Sequence, residues 1–249
     1  VSLSDVNEKG LAETVELVKP YNVRVTSKKV NVAKLEEVRT WAEETVQNHG
    51  SVNMIFNNAG VALGSTVEGS NYEDLEWIMG INYWGVVYGT KEFLPYLKKT
   101  GEGHIINTSS LFGLTAQPTQ SAYNSTKFAV RGFTESLRQE LDIENSGVSA
   151  LSVHPGGIRT NIANDARMSD SIKSMGMNPE KSAKAFNKLL RMPAEEAAQQ
   201  ILDAVLKNKR RLLIGNDAKT LDLIQRVLPT GYQRITAMAT KLSKRLEPK

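Results

Sequence analysis

Short apolar runs alternate with longer stretches of helical spacing along most of this 249-residue chain. That alternation constrains the fold more than any other feature of the sequence. The runs open with Val1-Ser2-Leu3-Ser4-Asp5. They continue with a stretch marked by Val23, Val25 and Val30, then Val52 to Phe56, Gly103 to Thr108, Val148 to Val153 and Arg211 to Ile214. Between them lie Gly10 to Lys19, Ala33 to His49, Tyr72 to Leu97, Ala122 to Ile143 and Ala194 to Leu206, which read as helices. Pro20 stops the first of these and Gly50 the second. Strands alternating with helices of this length predict an α/β fold, a doubly wound parallel sheet of Rossmann type in a single domain. A composition that is 40% hydrophobic supplies a core of that size. Ile158 to Met192 is expected to be less regular, and a basic helical tail interrupted by Pro229 follows the last strand.

Several classes of chemistry drop out early. There is no cysteine, so disulfides and thiolate metal sites are impossible, which fits a cytoplasmic protein. His49, His104 and His154 are scattered, with no partner at metal spacing, and no metal is assigned. No apolar run reaches the roughly 18 residues of a membrane span. The net charge of +4 is uneven: Lys207 to Lys249 holds eleven Lys/Arg against three Asp/Glu, and the rest is net acidic. No base-stacking aromatic motif accompanies that basic segment, so no nucleic acid is expected. In the tail, Leu221, Ile224, Leu228, Tyr232, Ile235, Met238, Leu242 and Leu246 recur at helical spacing. Docking on the body of the protein is the first expectation for this face. A peripheral contact with a membrane surface is the second.

The stretch with most chemistry runs from Ser110 to Lys127. Ser110 follows the strand-like run His104 to Thr108, and a strand's carboxyl end points into the crevice where open α/β sheets bind ligands. Tyr123 and Lys127 are four apart and share a helix face. A phenol titrating near about 10 is a poor proton carrier at neutral pH. A nearby ammonium is expected to lower that value and fit Tyr123 for general acid–base work on a carbonyl or alcohol oxygen. A bare Tyr-x-x-x-Lys is also a common solvated pair. Here it follows Ser110 by thirteen positions across a loop containing Gly113 and Pro118.

Together with Asn57-Asn58-Ala59-Gly60, with Asn82 inside an apolar helix, and with Pro155-Gly156-Gly157-Ile158-Arg159-Thr160 after the fifth strand, this spacing resembles the short-chain dehydrogenase/reductase family. The resemblance spans essentially residues 1–215, read as the dinucleotide-binding and catalytic part, with 216–249 as a basic amphipathic helical tail of the same domain. It implies an oxidoreductase that passes a hydride between a nicotinamide cofactor and an alcohol or ketone. Tyr123 would move the proton, Lys127 would lower its pKa and bind the nicotinamide ribose, Ser110 would polarise the substrate oxygen, and Asn82 would support the relay. Ser110 and Tyr123 would touch the substrate. Asp5, Asn31, Val32, Asn58, Ala59, Gly60, Pro155, Gly156, Ile158 and Thr160 would line the cofactor with Tyr123 and Lys127. Asp5 ends the first run, where an acid accepts from the adenosine ribose hydroxyls and repels a 2′-phosphate, so NAD is expected over NADP. The competing reading of Asp5 is a turn or helix-cap residue.

Two departures accompany the resemblance. Asn31 stands where the family usually has an acid contacting adenine. No Gly-x-x-x-Gly-x-Gly occurs, and the first run matches the family's second strand. The family's first strand and helix are therefore expected to be absent from this record, about 30 residues being the size of that unit. The segment after Pro155 is rich in Met168, Met175, Met177, Phe186, Leu189, Leu190 and Met192, which reads either as an apolar substrate lining or as ordinary packing. The resemblance also implies a homodimer or homotetramer. Two alternatives stand beside this reading, a non-catalytic nucleotide sensor or partner-binding protein on the same fold, and an NADP-dependent carbonyl reductase, which differs in cofactor rather than mechanism.

Overall fold

The computed structural model describes residues 1–246, with side chains to residue 242. It begins with β1 (Ser2–Asp5), α1 (Glu8–Val18), β2 (Thr26–Lys29), α2 (Leu35–His49) and β3 (Met54–Asn57). Next come β4 (Leu63–Gly64), α3 (Tyr72–Met79), α4 (Gly85–Thr100), β5 (Gly103–Thr108), α5 (Ser121–Glu144) and β6 (Val148–Pro155). The chain ends with β7 (Ile158–Arg159), β8 (Arg167–Met168), α6 (Pro179–Leu189), β9 (Met192–Pro193), α7 (Ala194–Leu206), β10 (Arg211–Ile214), α8 (Asn216–Val227) and α9 (Gly231–Leu246). All ladders are parallel. One sheet has the order β10-β6-β5-β3, and β1 pairs with β2 in another. Among the described residues, β1 and β3 are not hydrogen-bonded to each other. The break falls between the strands that match second and fourth in a 3-2-1-4-5-6 order, where the central strand of that order runs. Met54 and Phe56 on β3 stay 47% and 45% exposed.

Helices cover both faces of the larger sheet because successive strand residues point to opposite sides. Ile55, Ile105, Val148 and Ala150 pack on one face with Ala42 of α2, Phe93 and Leu97 of α4, and Leu137 and Leu141 of α5. Ile106, Leu151, Val153 and Ile214 face the other way, onto Ala197, Ala204 and Val205 of α7. The smaller sheet is tied to this body by side chains. Trp41 Nε1 donates to Ser2 Oγ at 2.9 Å, and Arg39 of α2 pairs with Glu92 of α4 at 3.2 Å. Side-chain caps mark the helix starts: Asn7 accepts from Gly10 N, Asn71 from Asp74 N, and Asn178 from Lys181 N ahead of Pro179.

The structure departs from the sequence reading in three places. The second strand is polar, Thr26–Lys29, and Val23 lies outside it and exposed, because this strand has only one neighbour and a half-solvated surface. The long helix expected from Tyr72 to Leu97 is broken by a wide π turn, Gly80–Trp84, that carries Asn82. The stretch expected to be irregular contains the 11-residue helix α6, none of whose residues is buried. Its two ends pair with each other through β7–β9, and it pairs with the body through β4–β8. The tail docks, as first expected: Tyr232 is buried and its hydroxyl accepts from Ala116 N at 3.2 Å, although Ile235, Met238 and Leu242 remain exposed. Leu246 lies outside the residues whose side chains are described.

Candidate active site

Because β3, β5 and β6 are parallel, their carboxyl ends deliver Asn58–Gly60, Ser109–Ser110 and Pro155–Gly157 to one edge of the sheet. Asparagines hold that edge together. Asn57 Nδ2 donates to Asn107 Oδ1 at 2.8 Å and to Thr90 Oγ1 at 3.1 Å, and Asn107 Nδ2 donates to Thr134 Oγ1 at 3.0 Å. Two strands and two helices are thereby cross-linked beneath the site. Gly89 is required by this network, since a Cβ there would collide with the Asn57 amide. Asn58 Oδ1 accepts from Thr108 Oγ1 at 3.2 Å.

The first turns of α5 bring Tyr123 and Lys127 against the same edge. Tyr123 is 8% exposed and Lys127 3%. Lys127 Nζ lies 5.7 Å from the Tyr123 ring centre and donates to Thr108 O at 2.9 Å. An ammonium carries three donors. The Thr108 carbonyl is the one hydrogen-bond acceptor that Lys127 finds among the described residues, leaving donors free for a ligand. Burial pulls the Lys127 ammonium down to about 8. Burial pushes the Tyr123 phenol up to about 12, and its hydrogen bond with the Ser110 side chain opposes that shift. This corrects the expectation of a lowered phenol: at this buried position desolvation outweighs any help from the ammonium. Tyr123 therefore rests as a neutral acid.

Ser110 is held from two sides. Its Oγ accepts from Phe112 N at 3.1 Å. Its carbonyl accepts from His154 Nδ1 at 3.0 Å, which leaves Nε2 to accept from Ser152 Oγ at 2.9 Å. Burial pulls the fully enclosed His154 down to about 4, so it stays neutral in this pattern. The sequence reading passed over this role. The available signal was the alternation that puts Ser152 and His154 on one strand face. Asp217 was missed too. Its carboxylate accepts from Gly157 N at 2.7 Å and Ala218 N at 2.9 Å, pinning the Pro155-Gly156-Gly157 turn to the start of α8.

The remaining expected residues fall as follows. Asn82 is fully buried, but its side chain does not reach Lys127. Its Oδ1 accepts from Val61 N at 2.8 Å, and its Nδ2 donates to Val61 O at 2.9 Å and Thr126 Oγ1 at 3.1 Å. It staples the loop after Gly60 to α5. A Cβ on Gly60 would lie 3.5 Å from Lys127 Nζ and 3.4 Å from Asn82 Oδ1, which places that glycine and Ala59 beside the pair. Val32 packs against Gly85, where a Cβ would come within 2.8 Å of Val32 Cγ2. The Asn31 amide oxygen already accepts from Ala33 N at 3.1 Å, so the acceptor expected for adenine is partly committed. Asp5 uses one carboxylate oxygen to accept from Asn7 N at 2.8 Å, the turn role weighed against it, and remains exposed. Gly156 N donates to Ile214 O, Ile158 pairs with Met192 in β7–β9, and the Thr160 hydroxyl accepts from Ile162 N at 3.4 Å. Met192 packs against α7, whereas Met168 covers Gly64, where a Cβ would lie 2.6 Å from Met168 Sδ.

Parallel strands with Ser110, Tyr123 and Lys127 gathered at their carboxyl ends define the class, and residues 1–171 match the short chain dehydrogenase family model. The chain belongs to the short-chain dehydrogenase/reductase family. It is 43% identical over 238 residues to SadH of Mycobacterium tuberculosis, covering 95% of this chain and 84% of that protein. A short-chain dehydrogenase/reductase from Burkholderia phymatum, solved in complex with NAD, superposes with a TM-score of 0.81 at 25% identity, covering 95% of this chain and 85% of that one. The fold also matches an alcohol dehydrogenase from Thermococcus sibiricus complexed with 5-hydroxy-NADP, with a TM-score of 0.62 at 24% identity over 86% of this chain and 84% of that one.

Proposed function

We propose that this protein interconverts an apolar alcohol and its ketone, with NAD as the cofactor. The observation that carries the reading is the buried Tyr123–Lys127 pair, with the Ser110 side chain beside the phenol and unused ammonium donors beside Gly60. The residues present fit the nicotinamide-ribose end of such a cofactor: a buried ammonium short of acceptors is matched by a ribose diol, and Gly60 leaves room for close approach. NAD, when bound, supplies or accepts the hydride. In the reducing direction the neutral Tyr123 Oη–H donates its proton to the carbonyl oxygen as that oxygen gains charge, while the Ser110 hydroxyl holds the same oxygen. Lys127 stabilises the phenolate left on Tyr123. In the oxidising direction the same Oη takes the alcohol proton. Asn82 acts here as a positioning residue, fixing the Gly60–Val61 loop rather than carrying protons through its side chain.

Substrate class follows from what surrounds Tyr123. Phe112 meets its ring edge-on, with centres 6.1 Å apart, and Ala62, Leu63, Ile78, Val61, Ile162 and Ala166 belong to the same apolar cluster. Asp5 retains exposed carboxylate lone pairs for a ribose diol, which supports NAD over NADP. Exposed aromatic side chains, Trp84 stacked on Tyr88 where the π turn meets α4 and Phe128 on α5, support a homo-oligomer. A panel of apolar and small polar alcohols and ketones, followed by NADH absorbance, tests the reading. Turnover highest on apolar secondary alcohols or ketones is expected, and no turnover on any member, with cofactor bound, would overturn it.

A further inference from the structure

The segment from Ile162 to Ile172 crosses the apolar cluster that contains Tyr123. Ile162 and Ala166 pack onto that cluster, and Ala163 and Ile172 anchor the segment at its two ends, 1% and 0% exposed. Between the anchors the backbone lies on the β4 loop. Arg167 N donates to Ala62 O at 3.0 Å, Ser169 N to Gly64 O at 2.8 Å, and the Ser171 hydroxyl accepts from Thr66 N at 3.1 Å. Gly64 and Gly69 have no room for a Cβ beneath Met168 and Ser171, so this seat is close-fitting. A two-residue ladder is nonetheless a weak tie by itself, since isolated short strand pairs are marginal in water.

Asn164 accepts from Asn187 Nδ2 of α6 near the start of the segment, and the middle of the segment has a charged tie of its own. The Arg167 guanidinium sits 3.6 Å above the Trp77 ring, and its Nη1 contacts Asp74 Oδ1 at 2.6 Å. Asp74 and Trp77 are three apart on α3, so they present an acceptor and a ring face side by side. A planar fork that stacks and hydrogen-bonds at once is what arginine offers and lysine does not. The Arg167 side chain is 49% exposed, so water can replace this contact at small cost, which is the property of a releasable tie rather than a core contact. Trp77 in turn packs against the Tyr123 cluster, so the latch sits directly on the wall it closes.

We infer that Arg167 is a positioning residue for substrate: it latches the 162–172 segment onto Asp74 and Trp77, and release of that latch opens the apolar site over Tyr123. This deepens the oxidoreductase reading and rests on it for the substrate half alone. Arg167→Ala removes a stack and an exposed ion pair, which together correspond to about a tenfold shift of the closing equilibrium. Amide exchange of the full chain, without cofactor or substrate, reads the latch directly. Exchange at the Arg167 and Ser169 positions is expected to quicken about tenfold, with the thermal unfolding midpoint lowered by only a few degrees, and Arg167→Lys should fall between. In turnover, substrate KM is expected to rise, by about tenfold at most, with kcat within about twofold and NAD affinity unchanged. Unchanged exchange in Arg167→Ala overturns the latch. Faster exchange with an unmoved substrate KM overturns its role in positioning substrate. A wild-type protein that turns over no alcohol or ketone overturns the redox reading instead, and the exchange result still decides the latch.

Discussion

Lys127→Met should make the protein more stable at neutral pH while destroying its proposed activity. Lys127 is 3% exposed and finds one hydrogen-bond acceptor, so its ammonium is poorly solvated in the folded state. Its pKa falls from 10.5 to about 8 as a result. A folded-state value depressed in this way gives stability that is complete above the unfolded pKa and is lost as pH falls through the folded one. Over the full window the change is about 3 kcal/mol at 1.36 kcal/mol per pH unit. Met fills a similar volume without a charge and forfeits only the bond to Thr108 O, about 1 kcal/mol. Urea unfolding of both proteins at several pH values isolates this one group, because all other titrations are shared. The stability advantage of the variant should be largest below about pH 8 and shrink by about 2 kcal/mol between about pH 7 and 9.5. A difference that stays flat across that range would show that the ammonium is well solvated and would refute the reasoning.

Asp5→Ala should narrow the ratio of kcat/KM for NAD over NADP, because the acid that would face a 2′-phosphate is gone; an unchanged ratio in steady-state kinetics would remove Asp5 from the cofactor site. His154 is held near 4 by burial, below its ordinary 6.5, so it lends stability above about pH 6.5 that is lost as pH falls through 4. His154→Gln should flatten acid unfolding over that interval while raising substrate KM through a displaced Ser110, measured by denaturation at several pH values and by initial rates. Light scattering at micromolar concentration should give at least a dimer, and Trp84→Glu, at the exposed end of the π turn before α4, should reduce it to a monomer.

The residues of the site were legible because their chemistry is written in residue type and spacing: Ser110, Tyr123 and Lys127 stand at fixed offsets around one strand end and one helix turn. Tyr123's resting state was not. Proximity of an ammonium predicts a lowered phenol, but the burial of Tyr123 is a tertiary feature, and the desolvation it brings reverses the sign. His154 and Asp217 escaped for a similar reason, since each acts on backbone groups brought near by the fold, 44 and 60 residues away in sequence. The β4–β8 pairing is two residues long and leaves no periodic trace. Helix α6 buries no residue, so no core-facing stripe is needed there, yet its Asn178 cap and Pro179 were a readable start.

Tyr123→Phe tests the central claim most directly. The variant keeps the ring that packs against Phe112 and loses only the hydroxyl. Stopped-flow measurement of NADH formation and decay, at saturating cofactor and substrate, reports the hydride step itself. The account predicts a rate lower by about 10²- to 10⁴-fold, with NAD affinity essentially that of the parent protein. A Tyr123→Phe protein within tenfold of the parent rate would contradict the assignment of the proton to this phenol.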